Sequence, residues 1–375
     1  MPPLGILQEA LPLYRLEDIF QRQGFEISRA TQSVWCGDVA DLAEPLYELM
    51  AERVRSSHVV ATDDTIMPML SKAGVPADGS LSVGWKAGVP ADGSLSVGWK
   101  AGVPADGSSS VGRKGKTTKA RRWVYVGDDG YPYNVFNFTL NRGRDGPKYF
   151  LKDYRQILLA DAYGGYDGIV AGNEITRAGC RAHMRRKVID AEKAAPEMAR
   201  EAIELVRALY AVERQARDLS VMARLELRQE ESAPVLAQLR KRLLEWKEQL
   251  LPKHPMAEAV NYALGQWTEL NVFCSDGAVA IDNNVSEREM KRIVLNRKNS
   301  LFVGNPRGSR TAAILASLTS TCRRHDLDPQ LYLTQLLTNL SQVRRSELPN
   351  WLPNQWKQRQ AARLSNLKSS ATMPS

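Results

Sequence analysis

Cysteine is scarce in this chain, with four residues among 375, and the four lie far apart. No two of them have the CxxC spacing of a zinc ribbon, and they suggest no disulfide framework, which favours a reducing compartment. No run of apolar residues approaches the roughly eighteen that a membrane span needs. The N-terminal stretch MPPLGILQEALPLYRLEDIF has no basic region followed by an apolar core, so we expect no signal peptide and a cytoplasmic location.

Positive charge, in contrast, is in excess, with a formal net charge of +9. A basic protein favours a polyanionic partner such as nucleic acid, although charge alone does not define a fold. Hydrophobic residues make up 43% of the chain. That content and the length allow one large domain or two modest ones with a sizeable core.

Short apolar segments bounded by turn residues predict five strands. The predicted strands are 58–62, 121–126, 134–140, 156–160 and 175–180. The turn GDDGYP joins the second to the third, so the first three form a meander. The fourth, QILLA, is continuously apolar, as expected of a central buried strand.

Helical periodicity dominates the remainder and divides the chain into segments. We predict a helical N-terminal segment at 1–57, a first core part at 58–181, a helical insertion at 182–270, a last core part with C-terminal helices at 271–345, and a polar tail at 346–375. The tail is expected to be disordered beyond about residue 355 because it is polar and terminal.

A tandem repeat interrupts the first core part. KAGVPADGSLSVGW occupies 72–85 and again 86–99, and a decayed copy fills 100–113. This period is shorter than the roughly 20 to 50 residues of solenoid repeats. Gly, Pro, Asp and Ser dominate each copy, so we interpret the segment as an expanded surface loop rather than a binding repeat.

Three acidic residues stand out by their placement. Asp63 and Asp161 each follow a predicted strand, and Glu287 begins a helix after the turn Asp282-Asn283-Asn284. Carboxylates at strand ends are rigidly held, and three that converge would bind hard divalent cations through oxygen. Alone, each has an ordinary interpretation as a turn former, a cap or a first-turn glutamate. Their order on this strand pattern, next to a basic segment, favours a metal site for phosphoryl transfer.

The basic segment follows Glu287 directly and could contact DNA phosphates without reading sequence, or could be a solvated helix face. The candidate DNA-binding residues are Arg288, Lys291, Arg292, Arg297, Lys298, Arg307 and Arg310. His183 and Arg185 are added because a second basic cluster surrounds them. Cys180 and His183 form a CxxH pair, but zinc needs two further ligands and no matching pair is evident, so the sequence does not favour zinc.

Several runs make the chain resemble the transposases of the bacterial insertion-sequence family sixty-six. They are LPLYRLEDIFQRQGFEISRATQSVW, ATDDT followed by GKTTKARRWVYVGDD, LLADAYGGYDGI, ITRAGCRAHMRRK and IDNNVSEREMKRIVLNRKNSLFVGNPRGSRTAAILASL. They cover roughly residues 10–340, and the last run is the most specific.

The resemblance implies a DDE transposase with an RNase H-like α/β fold, in which helices flank a mixed sheet and a mostly helical insertion precedes the catalytic Glu. It assigns Asp63, Asp161 and Glu287 as catalytic residues and Mg²⁺ ligands, with Mn²⁺ as a substitute; Asp64 is an alternative to Asp63. It also implies binding to transposon ends and target DNA near the nucleoid, a homo-oligomer on DNA, and accessory proteins of the same element as further partners.

Two departures from the family pattern leave alternatives open. The DNA-binding region and cysteine-rich zinc motif that usually precede this region are absent from the 375 residues. The repeats lie directly after Asp63, where an expanded loop could obstruct the site. The chain could therefore be an inactive DNA-binding relic, or a stand-alone RNase H-like nuclease, rather than an active transposase.

Overall fold

A computed structural model describes residues 12–70, 117–143, 145–301 and 303–371, and its helices and strands are numbered from the first of these. The tandem repeats at 72–113 lie outside the described residues. The described chain is a mixed α/β structure around one five-stranded sheet. Among the described helices, none is long and apolar enough to cross a membrane.

The sheet confirms all five predicted strands. They are β1 (Val59–Leu70), β2 (Thr117–Val126), β3 (Asn134–Thr139), β4 (Ile157–Ala160) and β5 (Thr176–Gly179). Their order is β3-β2-β1-β4-β5; β2 is antiparallel to both β1 and β3, whereas β4 runs parallel to β1 and β5. The first strand is longer than predicted because its second half pairs with the start of β2.

Helices fill most of the remaining described chain. Before and within the sheet they are α1 (Leu13–Arg22), α2 (Arg29–Arg55), α3 (Asp145–Phe150) and α4 (Asp167–Asn173). The predicted insertion contains α5 (Arg181–Asp190), α6 (Pro196–Gln215), α7 (Val221–Leu227), α8 (Ala233–Gln249), α9 (Pro255–Gly265) and α10 (Trp267–Leu270). The last part contains α11 (Asn284–Ser300), α12 (Pro306–Arg324), α13 (Pro329–Asn339) and α14 (Pro353–Ala371).

The prediction of a disordered tail beyond about residue 355 was wrong, because α14 extends to Ala371. Trp356 is 3% exposed, and its ring meets that of Tyr332 edge-on at 5.6 Å. Burial of one large aromatic side chain contributes about 1.5–3 kcal/mol, which helps to order an otherwise polar helix. One buried tryptophan hardly changes the average polarity of the segment, so its composition did not predict this helix.

Side chains alternate between the two sides of the sheet along each strand, and each side packs against its own hydrophobic core. Val60 of β1 and Leu158 of β4 belong to a core that includes residues of α2, α12 and α13. Val59 and Ala61 belong to the core on the opposite side, which includes residues of α11. Because side chains alternate along a strand, Asp63 projects toward the α11 side and Asp64 toward the α2 side.

Helix α12 covers β3, the edge strand of the sheet. Backbone amides of Asn134 and Phe136 donate to Thr321 Oγ1 at 3.0 Å and Ser317 Oγ at 2.8 Å. An unpaired strand edge invites pairing with other chains, and unsatisfied buried amides are costly. These hydroxyls satisfy the edge, which explains why the buried face of α12 is rich in Ser and Thr.

Candidate active site

Parallel pairing brings the first half of β1 next to the end of β4. The pairing of β1 with β4 runs from Val59 opposite Ile157 to Ala61 opposite Leu159. Asp63 and Asp161 each lie two residues beyond that last pair, so they come side by side where the parallel pairing ends. The charge of Asp161 is near enough to contribute to the raised pKa of Asp63. The strand pairing therefore supplies two neighbouring carboxylates.

The third acid, Glu287, lies on α11, and Asn283, the residue that precedes this helix, fixes the start of α11 against the sheet. Asn283 is 1% exposed and donates its side-chain amide to the carbonyl of Thr62 at 2.8 Å. Its backbone amide donates to Cys180 Sγ at 3.3 Å. Asn283 thus ties the start of α11 to both β1 and the end of β5. Glu287 lies in the first turn of that helix, where the helix dipole favours a negative charge.

Asp63 has a strongly raised pKa. Burial raises its pKa from 3.8 to about 7, and the nearby charges of Asp161, Glu287 and Asp64 add to the increase. A hydrogen bond from the Asp64 amide to Asp63 Oδ1, 2.8 Å long, opposes it. Negative charge is thus concentrated at this point, and a bound cation would relieve it.

We expect Asp63→Asn to stabilise the metal-free protein at alkaline pH. The folded chain keeps a proton on Asp63 up to about pH 7, whereas the unfolded chain releases it near 3.8. Wild-type stability is therefore lost as pH rises from about 4 to about 7, and the variant should gain roughly 2–4 kcal/mol over wild type above that window. Urea unfolding in EDTA at pH 5 and pH 8 measures this gain; an equal difference at both pH values would contradict it.

Asp64 has a different environment from its neighbour. Its side chain is 3% exposed and accepts hydrogen bonds from Arg121 Nη1 and Arg142 Nη2, both at 2.8 Å. Arg142 Nη2 also lies 4.0 Å from Asp161 Oδ2, and its guanidinium stacks 3.9 Å above the ring of Tyr163. Asp64 is thus fully engaged by two arginines on the opposite side of the sheet from Asp63.

The Glu287 carboxylate lies beside residues at the start of α5. Its oxygens lie 3.8 Å from His183 Nδ1, 3.8 Å from Arg186 Nη2 and 3.9 Å from Cys180 Sγ. Within the described residues, the one group of three side chains that converges closely enough to hold a metal ion is Cys180, His183 and Glu287. Asp63, Asp161 and Glu287 form no such group among the described residues.

The candidate DNA-binding residues separate into two sets. Four lie exposed along α11 and one on α5, and no ion pair to another helix or strand is found for any of them among the described side chains. This exposed set is Arg288, Lys291, Arg292, Lys298 and Arg185.

The second set is engaged within the protein. Arg307 pairs with Asp41 at 2.8 Å, and Arg310 bridges two glutamates of α2, with 3.0 Å to Glu48. Arg297 donates to the carbonyl of Ile66 on β1. His183 faces Glu287 rather than open solvent, with a side chain 27% exposed.

Sequence reasoning missed Arg142 and did not weigh Arg186 as a site residue. The basic run NRGR directly after β3 was the available signal for Arg142, because residues after a strand end gather at the sheet edge. Arg186 belongs to the basic cluster around His183, but its contact with Glu287 depends on how α5 and α11 meet.

Comparison with known proteins assigns the chain to a family. The family model described as Transposase IS66 family matches residues 7–86 and 108–311. The uncharacterized protein y4jD of Sinorhizobium fredii is 31% identical over 363 residues, which are 92% of this chain and 63% of that protein. A second uncharacterized protein of that bacterium, y4qI, is 32% identical over 351 residues, or 89% of this chain and 57% of its own length.

The chain thus spans about six tenths of the length of these two relatives. No solved structure matches it. The family model covers well over half of the chain, including all three acidic residues and most of the basic segment. The chain therefore belongs to the IS66 transposase family.

Proposed function

We propose that the protein is a DDE transposase that cleaves DNA at transposon ends and joins the freed ends to target DNA. The observation that carries this proposal is the placement of Asp63, Asp161 and Glu287 at one sheet edge in a chain of the IS66 transposase family. Membership of the family supports the class of reaction, and the proximity of the three acidic residues supports a site at which it could take place.

An RNase H-like fold is part of the proposal. The antiparallel meander β1-β2-β3 followed by two strands parallel to β1 is the arrangement expected of such a sheet. The helical insertion between Asp161 and Glu287, from α5 to α10, supports the same assignment. Both features were implied by the family resemblance and depend on no particular side chain.

The donor set at the sheet edge fits a hard divalent cation. Carboxylate oxygens are the ligands that Mg²⁺ prefers, and the pKa of Asp63 is raised to about 7 mainly by burial, with smaller contributions from the charges of Asp161, Glu287 and Asp64. We propose Asp63 rather than Asp64 as the first ligand, because Asp64 is already occupied by Arg121 and Arg142. Mg²⁺ in such a site supplies activation of a water or 3′-hydroxyl and stabilisation of the leaving oxygen; Mn²⁺ is expected to substitute.

The chain's own groups orient these ligands. The amide of Tyr163 donates to Asp161 Oδ1 at 3.2 Å and fixes that carboxylate, as the Asp64 amide does for Asp63. Arg142 holds a positive charge beside Asp161, where a phosphodiester oxygen would lie. The N-terminus of α11 adds a positive dipole end next to Glu287. Preorganised charges of this kind lower the barrier to phosphoryl transfer.

The reaction is tested by incubating supercoiled plasmid with the protein and Mg²⁺ or Mn²⁺. Nicking that EDTA abolishes supports a metal-dependent enzyme, and joining of a pre-cleaved element end to the plasmid distinguishes a transposase from a nuclease. DNA binding without cleavage in either metal would contradict the proposal. That result would favour a non-catalytic relic, for which the supporting observation is that Glu287 groups with Cys180 and His183 rather than with Asp63 and Asp161 among the described residues.

The exposed face of α11 is the proposed contact with DNA phosphates. Lys291 follows Arg288 by three residues and Lys298 follows Lys291 by seven, which places the three side chains on one side of the helix. A second copy of the chain on paired DNA ends is expected, as are partners encoded by the same element.

Substituting Arg288 and Lys298 together by Ala is expected to weaken DNA binding and to lower the slope of log affinity against log salt by about 2. Each lost phosphate contact removes about 0.9 from that slope. Arg307→Ala is the matched control, because Arg307 pairs with Asp41 and should leave the slope unchanged. Fluorescence anisotropy at several NaCl concentrations measures both. Equal slopes for wild type and the double variant would show that this face does not contact phosphates.

A further inference from the structure

Cys180, His183 and Glu287 come together where two helices begin. Cys180 precedes α5, His183 lies in the first turn of α5, and Glu287 lies in the first turn of α11. One ligand atom from each, Sγ, Nδ1 and a carboxylate oxygen, lies within 4.8 Å of the other two. The sequence shows only the CxxH pair, since Glu287 is more than a hundred residues away.

The backbone around these side chains is fixed by contacts that do not involve the ligand atoms of His183 and Glu287. The amide of Arg181 donates to the carbonyl of Ile281 at 3.2 Å, and the amide of Asn283 donates to Cys180 Sγ at 3.3 Å. The two helix starts are therefore tied together, so the three ligands are held near one another before any ion arrives. This preorganisation reduces the entropic cost of binding.

The three side chains differ in the partners they already have: Cys180 Sγ accepts a hydrogen bond from the Asn283 amide, and Glu287 Oε2 lies 3.8 Å from Arg186 Nη2. His183 Nδ1 is buried and has no hydrogen-bond partner. It lies 3.8 Å from Glu287 Oε1, and Cys180 Sγ lies 3.9 Å from the same oxygen. Around tetrahedral Zn²⁺ with bonds of about 2.0–2.3 Å, neighbouring ligands are separated by roughly 3.3–3.8 Å. These two separations lie at or just above that range, and the Cys180 and His183 ligand atoms lie within 4.8 Å of each other, so modest side-chain shifts would complete three corners of such a site.

We propose that Cys180, His183 and Glu287 bind a single transition-metal ion of the Zn²⁺ class. Sulfur and imidazole nitrogen select Zn²⁺ or Co²⁺ over Mg²⁺, which takes oxygen ligands. Binding replaces the thiol proton of Cys180, which is released to solvent as the sulfur–metal bond forms. The fourth position is open to water, as in zinc sites with three protein ligands.

The site shares Glu287 with the acidic residues of the proposed active centre. An ion held by Cys180, His183 and Glu287 would hold the Glu287 carboxylate in its present position beside the other two ligands. Zn²⁺ is therefore expected to suppress Mg²⁺-dependent cleavage. This consequence, unlike the binding itself, rests on the proposed function.

Titration of the whole metal-free chain with Co²⁺ tests the site directly. We expect visible d–d bands of tetrahedral intensity and a thiolate-to-cobalt band in the near ultraviolet, both saturating at one equivalent and both displaced by Zn²⁺. Cys180→Ser should abolish the thiolate band, and His183→Ala should weaken Co²⁺ affinity by about 100-fold or more. Cys274→Ser is the matched control, because Cys274 is half-buried and lies outside the group, and it should retain both bands.

The proposal would be overturned if wild type showed neither band. It would also be overturned if the thiolate band persisted in Cys180→Ser, or if either band were lost in Cys274→Ser. Circular dichroism checks the fold of each variant; if Cys180→Ser does not fold, His183→Ala decides, since that side chain is partly exposed. A separate cleavage assay compares Zn²⁺ inhibition in each variant with that variant's own zinc-free rate. Failure to cleave DNA at all would reject the proposed function and leave the Co²⁺ result intact.

Discussion

Glu287→Gln is expected to lower the rate of Mg²⁺-dependent DNA cleavage by on the order of 10³-fold or more, and Asp161→Asn should do the same. Both changes keep the size of the side chain while removing a negative charge and a metal-binding oxygen. Asp161 is about one-third exposed and Glu287 about one-quarter, so neither change should unfold the protein. Initial rates of plasmid nicking at saturating Mg²⁺ measure the loss.

Asp167→Asn is the matched control for these variants. Asp167 follows Asp161 on the same connection after β4, is 64% exposed, and pairs with Arg177 at 2.8 Å. It should nick plasmid at the wild-type rate, because its carboxylate points to Arg177 rather than to the sheet edge. Wild-type cleavage by Glu287→Gln would reject the assignment of Glu287, and a defect of equal size in Asp167→Asn would show that any local acid matters.

The sheet was predictable because its information is local. Five apolar segments between turn residues gave five strands, and the meander followed from the short GDDGYP turn. The long end of β1 was missed, since residues after Asp64 lack strict alternation and are ordered by pairing with β2. Helix α14 was missed for a similar reason: its polar sequence says little, and Trp356 orders it only after Tyr332 is in place.

The site was only half predictable. Three acids could be chosen by their position at strand and helix ends, but their partners could not. The arginines that clamp Asp64 come from β2 and from the segment after β3, and the neighbours of Glu287 come from α5. These contacts depend on how distant elements pack, so neither spacing nor charge reveals them. The same limit hid the pairing of Arg307 and Arg310 with acidic residues of α2, although the Arg307 side chain remains 71% exposed.

Arg228 illustrates a further contact that sequence could not show. It begins a short π-helix, Arg228–Ser232, and is 1% exposed. Its guanidinium forms two hydrogen bonds of 2.7 Å with Glu213 of α6, and it donates to the carbonyls of Phe273 and Val279 at 2.8 and 3.0 Å. One side chain thus joins the insertion to the loop that leads into Asn283 and α11.

Arg228→Ala is expected to lower the free energy of unfolding by about 3–5 kcal/mol, because it leaves Glu213 unpaired and several carbonyls without a donor. Arg242→Ala is the matched control. Arg242 also binds a glutamate, Glu201, through two nitrogens, but it is 36% exposed, so its loss should cost much less than the loss of Arg228. Urea unfolding followed by tryptophan fluorescence measures both.

Replacing both members of the buried pair should cost less than replacing Arg228 alone. In Arg228→Met with Glu213→Leu no charge is left without a partner, and apolar side chains of similar volume fill the space. The loop carbonyls still lose their donor, so we expect α11 to be positioned less well. This double variant should therefore fold with near wild-type stability but cleave DNA more slowly than wild type. Equal stability losses for Arg228→Ala and Arg242→Ala would instead mean that solvent reaches the Arg228 pair and that the loop before α11 is held by other contacts.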